Sequence, residues 1–276
     1  MNQVINLFRN FNIFLETDNT GKHLLVPPEY YKHWFESTAE WLQDTFDLEE
    51  LRQSSLFAGR EVILSGINLL DAYDDFKEIA KVFSDNNMAV TMQIEAIELY
   101  NHLEKVLDLA KNHIITAVCI SIHKESTDIS SPELMWEKLT ETAVSLIITG
   151  AVNNLKTLSV FSSPSLNSQD IRICPYPEEG ETYETLPENT ACNCVEHLII
   201  SIGADGFIYP CLGLINIEKC AIGNITDDKA FYDSFIPFAS KMIEQGPDIS
   251  SSGPVANNSE LAWFCRRHRY EVSHNE

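Results

Sequence analysis

The cysteines of this chain are concentrated towards its C-terminal end. Five of the seven lie in the last third, and residues 1–118 contain none. Cys192 and Cys194 precede a short hairpin that the sequence predicts to turn at residues 203–206, and Cys211 follows that hairpin. Thiolates gathered around a hairpin are a recurrent way to hold zinc or an iron–sulfur cluster. We therefore expect a metal centre in this part of the chain.

The charge balance limits the classes of partner. The 19 Lys and Arg residues against 41 Asp and Glu residues give a formal net charge of −22. This excess of negative charge argues against a nucleic-acid partner and against an anionic membrane surface, and it leaves room for a basic partner. No apolar run approaches the ~20 residues that span a bilayer, and the N-terminal segment is too polar for a secretory signal. We expect a cytoplasmic protein, whose reduced thiols favour metal over disulfides.

Strand-like and helix-like patterns alternate through the first part of the chain. Strands are predicted at 12–16, 61–65, 89–94, 115–122 and 155–161, and helices at 27–46, 69–83, 95–112 and 131–149. This alternation is typical of βα units with a parallel sheet. The fold class is therefore α/β, with a partial (βα) barrel of about four to five βα units. A small cysteine-bearing module of a hairpin and a helix follows it. The domains expected are 1–165 for the barrel, 166–190 for a linker or wrapping loop and 191–276 for the metal-binding module.

Three segments, 65–93, 116–126 and 199–225, carry a resemblance to a known family. The last of them contains the step from Gly206 to Cys211 and the tripeptide Gly223-Asn224-Ile225. With an upstream cysteine and a later CxxH, this pattern resembles the radical S-adenosylmethionine (SAM) superfamily with a C-terminal SPASM or twitch domain. The resemblance implies a partial βα barrel followed by a module that binds an auxiliary 4Fe–4S cluster.

Two departures from the family pattern bear on activity. Family members carry CxxxCxxC after the first strand, whereas residues 14–26 contain no thiol. The Gly-Gly-Glu motif after the second strand is reduced to Ser65-Gly66-Ile67-Asn68. Because the family cleaves SAM at the cluster held by the missing cysteines, this chain is not expected to cleave SAM or to need it as a cofactor.

The same resemblance implies a set of ligands for the auxiliary cluster. It assigns Cys194 or Cys192, Cys211 and Cys265, with His268 in the position of the last cysteine and Cys220 as a competitor for the fourth position. A set of three cysteines and one histidine can also hold zinc, which is the alternative metal. A second alternative is that the cysteines are small buried residues without a metal.

These patterns predict an accessory protein. It would bind a catalytic radical SAM enzyme, a precursor peptide or both, in the maturation of a peptide or natural product. The alternative is an independent enzyme that uses groups at the barrel mouth, such as Glu16, Asp18 and His23, because active sites collect at the carboxyl ends of parallel strands. A third possibility is a binding scaffold with structural zinc.

For several other residues, a structural role is the favoured interpretation. Cys119 is expected in the core of a strand rather than paired with His123 as a nucleophile. Cys174 falls in the linker, and His197 flanks the hairpin. Asp71, Asp74 and Asp75 begin a helix, where carboxylates are favoured. One aromatic group has helical spacing and is expected in the core: Tyr30, Tyr31, Trp34, Phe35 and Trp41.

Overall fold

The structure is a computed structural model that describes residues 10–46, 56–122, 132–151, 171–176, 199–210, 215 and 221–245. The strands are β1 Asn10–Glu16, β2 Glu61–Ile67, β3 Ala89–Glu95, β4 Ala117–Ile122, β5 Ser145–Ala151, β6 Ile171–Tyr176, β7 Ile199–Ile202, β8 Phe207–Tyr209 and β9 Gly223–Asn224. The helices are α1 Pro28–Phe46, α2 Tyr73–Ser84, α3 Ala96–Asn101, α4 Leu103–Lys111, α5 Pro132–Thr140, α6 Asp228–Ala230 and α7 Ile236–Gln245, with a π-helical turn Phe231–Phe235 before α7.

One mostly parallel sheet organises the described residues. Its nine strands lie in the order β6-β5-β4-β3-β2-β1-β7-β8-β9. The six pairings from β6 through to β7 are parallel. Strand β8 is antiparallel to both of its neighbours, β7 and β9. The predicted α/β class is confirmed. The sheet is open, with β6 and β9 at its edges, so it is not a closed barrel.

Most of the predicted strands and helices are confirmed, and the bounds of three predicted helices are corrected. The helix predicted at 131–149 ends at Thr140, and its last residues belong to β5. The run SLIITGA is rich in β-branched residues and completes the sheet beside β4, which outweighs its place in a helical pattern. The linker predicted at 166–190 contains β6. The strand predicted at 155–161 lies outside the described residues.

The helix predicted at 95–112 is interrupted. It forms α3 and α4, which meet at His102, whose backbone leaves the helical region with φ −121° and ψ 24°. The helix predicted at 69–83 begins later, at Tyr73, and buries a stripe of Phe76, Ile79, Ala80 and Phe83.

The hydrophobic core lies between the sheet and its helices. Residues from α1, α2, α3, α4, α5 and α7 join the strands in one core cluster. Aromatic rings fill its centre, with Phe11 of β1 against Trp34 of α1 at 5.8 Å between ring centroids. The predicted aromatic core is confirmed for Tyr31, Trp34 and Phe35, whereas Tyr30 is exposed.

The predicted hairpin is part of this same sheet and core. Its turn is confirmed at residues 203–206, where Gly206 has φ 83° and Gly206 N–H donates to the Gly203 carbonyl at 2.9 Å. Strand β7 pairs with β1 in parallel, and Ile200 and Ile202 are fully buried. Phe235 of the π-helical turn contacts Trp34 of α1, with ring centroids 6.4 Å apart. The described part of segment 191–276 therefore shares its core with the described part of segment 1–165.

Candidate functional site

Alternate residues of the central strands differ in burial, which distinguishes the two faces of the sheet. On β1, β2 and β3 the apolar face carries residues such as Ile13, Leu64 and Met92, which are partners in register and fully buried. Parallel sheets usually bury both faces and have almost continuously apolar strands. Here the second face is mixed, with half-buried Phe14 and Ile63 beside polar side chains, so it is less deeply buried than the first face.

The second face carries polar side chains near the carboxyl ends of the strands. Gln93 and Glu95 are exposed on β3, and Ser121 of β4 is the register partner of Glu95. Ser121 Oγ lies 3.3 Å from Oγ1 of Thr149, its register partner on β5. On β6, Cys174 is the backbone register partner of Thr149. This row of hydrogen-bonding groups across neighbouring strands is the candidate site, and we call it the polar row.

The polar row offers donors and acceptors that a ligand could use. The two hydroxyls both donate and accept, while Glu95 presents carboxylate oxygens that accept. Cys119 lies on the same strand face as Ser121, two residues earlier, and is half-buried. The predicted core position of Cys119 is thus only partly correct, because the residue borders the polar face.

The loop after β1 is closed by its own hydrogen bonds. Asp18 N–H donates to the His23 carbonyl at 2.8 Å, and the Asp18 carboxylate accepts from the hydroxyl of Thr20 at 2.6 Å and from its N–H at 3.0 Å. These bonds, led by the Thr20 hydroxyl, lower the pKa of Asp18. Asp18 therefore holds the loop together as a carboxylate.

A contact to α2 fixes the position of this loop. The Asp75 carboxylate accepts the N–H of Leu24 at 2.9 Å and lies 3.3 Å from His23 Nδ1. Asp75 thus has the structural role that the sequence favoured. Of the three groups suggested for the barrel mouth, Glu16 is the exposed last residue of β1, while Asp18 and His23 take part in the loop's own contacts.

A buried carboxyl group supports the loop after β2. Glu98 of α3 is 8% exposed, and it accepts the N–H of Leu70 at 3.2 Å. Burial raises the pKa of Glu98, and the charges of Asp71 and Glu95 act in the same direction. Asp71 itself lies 3.3 Å from Nε2 of His102. The sequence did not single out Glu98, since a glutamate near the start of a helix usually faces solvent.

The proposed metal ligands lie outside the described residues. This holds for Cys192, Cys194, Cys211, Cys220, Cys265 and His268, and also for His123 and His197. The hairpin that precedes Cys211 is described up to Pro210. Within the described ranges, no group of three or more His, Cys, Asp or Glu residues could hold a metal ion.

Sequence reasoning did not find the polar row, although its signal is present. In β4, Ser121 lies between the buried Ile120 and Ile122, and in β5 Thr149 follows the buried Ile148, as expected for the two-residue period of a strand. What the strand pattern alone could not supply was the register that aligns these positions across β3, β4 and β5.

Comparisons with known proteins give no assignment. No protein-family model matches this chain, and no curated protein matches it. In the part of the chain that the structure describes, no helix has both the length and the apolar character needed to cross a membrane.

Proposed function

We propose that this chain is a radical-SAM-like protein that binds an auxiliary 4Fe–4S cluster, does not cleave SAM itself, and assists a catalytic radical SAM enzyme in maturing a peptide or natural product. The observation that carries this proposal is the order of the sheet. Strands β1 to β6 lie side by side in sequence order and in parallel, and the helices between them join one core with the strands. This sequential order is expected of a partial βα barrel and not of a doubly wound sheet, whose strand order reverses at a switch point.

The hairpin also supports the proposal. It follows the parallel strands in sequence and pairs beside β1, as an extension of the barrel sheet. The GxxxxC step of the resemblance begins at Gly206 in the hairpin turn and ends at Cys211. The structure describes this segment up to Pro210, the residue before Cys211. Cys194 or Cys192, Cys211, Cys265 and His268 would hold the cluster, with Cys220 as the competing ligand. When bound, the cluster would supply electron transfer or fix the fold.

The loop after β1 supports the absence of SAM cleavage. In the family this loop carries the three thiolates of the SAM cluster, and here it contains no cysteine. Its backbone and the Asp18 carboxylate are engaged with each other, and Asp75 anchors the loop to α2. The loop is therefore held by hydrogen bonds of this chain's own groups.

The polar row would then bind the substrate of the partner enzyme. Gln93, Glu95, Ser121 and Thr149 can hydrogen-bond an extended peptide or another polar chain that lies along the carboxyl ends of the strands. Glu95 would in addition favour a basic residue of that chain. These groups bind and orient, and none of them is required to act as an acid, a base or a nucleophile.

The first test is the metal content. The protein is purified anaerobically, reconstituted with iron and sulfide, and its absorbance spectrum is recorded together with its iron, sulfide and zinc content. We expect a broad band near ~400 nm and about four irons per chain. Cys211→Ala should lose the band, while Cys119→Ala, which changes a cysteine outside the proposed set, should keep it. A colourless protein with one zinc would instead support the zinc-stapled scaffold.

The second test concerns the accessory role. The chain is added to a complete radical SAM maturase with its precursor peptide, and the rate of product formation is measured. Glu95→Gln should weaken the stimulation, whereas Glu78→Gln, the same change at an exposed glutamate of α2, should not. An equal effect of the two substitutions would contradict a role for the polar row.

The alternative of an independent enzyme at the barrel mouth has weaker support. Two of its three groups, Asp18 and His23, already contribute to the fold of the loop after β1. Glu16→Ala would have to abolish turnover of a substrate by the isolated chain for this alternative to replace the proposal.

A further inference from the structure

Large exposed apolar side chains gather at the carboxyl edge of the sheet. Ile67, the last residue of β2, is 63% exposed, and Leu25 in the loop after β1 is 50% exposed. Ile97 and Tyr100 of α3, which follows β3 directly, are 41% and 37% exposed. In the described part of the chain, the amino ends of the parallel strands carry no comparable group of side chains.

These residues are neighbours because three adjacent strands end together. Leu25 N–H donates to the Glu16 carbonyl at 2.9 Å, which places Leu25 beside the end of β1. Glu16 is the register partner of Ile67 on β2. Strand β3 pairs with β2 on its other side, and Ile97 follows the last residue of β3 by two positions. We call Leu25, Ile67, Ile97 and Tyr100 the carboxyl-edge patch.

Carboxylates surround the carboxyl-edge patch. Glu16 and Glu95, the last residues of β1 and β3, are both exposed, and Asp71 is exposed beside its contact with His102. Of the cations nearby, Lys22 is exposed in the loop after β1, and Lys105 donates to the Leu70 carbonyl at 2.5 Å. With a net charge of −22 for the whole chain, the field at this edge favours a positively charged ligand.

We propose that the carboxyl-edge patch docks a basic polypeptide segment of a partner protein, whose apolar side chains contact Ile67, Leu25 and Ile97 and whose Lys or Arg residues face Glu16 and Glu95. An exposed apolar group with a polar rim is typical of a protein–protein interface. The acidic rim disfavours nucleic acid and anionic membranes for the same reason that it favours a basic segment. This inference does not depend on a cluster, and of the polar row it uses only Glu95.

The test selects peptides from a displayed library of random 12-residue sequences on the full-length protein. We expect enrichment of sequences that combine Lys or Arg with Leu, Ile, Phe or Trp. Their affinity should fall about tenfold or more in Ile67→Asp and in Leu25→Asp, the size of effect seen for interface anchors. Tyr232→Asp is the matched control, because Tyr232 is 56% exposed but lies in the π-helical turn beyond β9. Circular dichroism checks that each variant is folded.

Three results would overturn the proposal. The selection could enrich acidic or uncharged peptides, or it could enrich peptides that bind Ile67→Asp as well as wild type, or it could enrich nothing. A photocrosslinking amino acid at position 67 then identifies the occupant. Crosslinks to the selected basic peptide support the proposal, whereas crosslinks only within the same chain or only to a second copy show that the surface is covered in another way.

Discussion

At the scale of single residues, Gly66 shows how closely β1 and β2 approach each other. A Cβ atom at this position would lie 2.0 Å from the Leu15 carbonyl oxygen and 2.6 Å from Cδ2 of Leu69. The backbone at Leu15 cannot move away from such a contact without disturbing the parallel pairing of β1 and β2. We expect Gly66→Ala to lower the free energy of unfolding by about 1–3 kcal/mol or more, measured by urea denaturation.

Gly59 provides the matched control for this substitution. It has φ 75°, and a Cβ atom there would meet no atom within 4 Å. Gly59→Ala should therefore cost only the strain of a left-handed backbone, about 1 kcal/mol. Equal stabilities of the two alanine variants would show that the approach of β1 and β2 is not as close as described.

Glu98 makes a prediction about pH. Its pKa is raised in the folded protein, so between the unfolded value near 4.5 and the folded value the folded state binds more protons than the unfolded state. Stability contributed by this group is therefore present below pH 4.5 and decreases as pH rises towards the folded pKa. Glu98→Gln keeps an oxygen that can accept from Leu70, without the buried charge.

The measurement compares wild type with Glu98→Gln by urea denaturation from pH 4 to pH 8. We expect the variant to gain stability relative to wild type as pH rises above about 4.5, because only wild type must ionise a buried carboxyl group. Glu98→Ala removes the acceptor and should be less stable than Glu98→Gln throughout. A difference between wild type and Glu98→Gln that does not change with pH would contradict the raised pKa.

At the scale of elements, Asp75 connects the loop after β1 to helix α2. Its carboxylate accepts the N–H of Leu24, a residue that is 4% exposed, and it also contacts His23, whose side chain is 71% exposed. We expect Asp75→Ala to lower the free energy of unfolding by about 1–2 kcal/mol, because a buried N–H loses its acceptor. His23→Ala should change it by less than about 0.5 kcal/mol, because exposed pairs contribute little.

Hydrogen exchange locates the effect of these two substitutions. The amide of Leu24 should exchange faster in Asp75→Ala than in wild type and in His23→Ala. If both substitutions left the exchange of the loop unchanged, Asp75 would not be the residue that holds the loop on α2.

The elements also show how far sequence reasoning reaches. The periodic segments, such as 12–16, 89–94 and the stripe of α2, were predicted because burial on one face imposes a period. Strands β5 and β6 were missed because β5 continues the pattern of a predicted helix and β6 lies in a segment read as a linker, and their place in the sheet comes from pairing with β4 and with each other. The polar row and the carboxyl-edge patch were missed for the same reason, since both depend on register between strands distant in sequence.

At the scale of the whole molecule, the sheet makes the hairpin and the first domain interdependent. Strand β1 pairs with β2 along one edge and with β7 along the other. Phe235 packs on Trp34 of α1, and both side chains are buried. A sheet and a core that cross the boundary between segments 1–165 and 191–276 should unfold as one cooperative unit. Two domains joined by a linker would instead unfold separately.

We therefore predict that Phe235→Ala destabilises the strands of the first domain as well as the hairpin. Loss of a buried phenylalanine costs about 3–5 kcal/mol, and hydrogen exchange followed by mass spectrometry should show the amides of β2 and β7 losing protection together. Phe238→Ala is the control, because Phe238 is only partly buried against the same core and should have a smaller effect. Protection lost in β7 but retained in β2 would mean that the hairpin opens by itself, and the C-terminal segment would then behave as the separate module that its sequence pattern suggests.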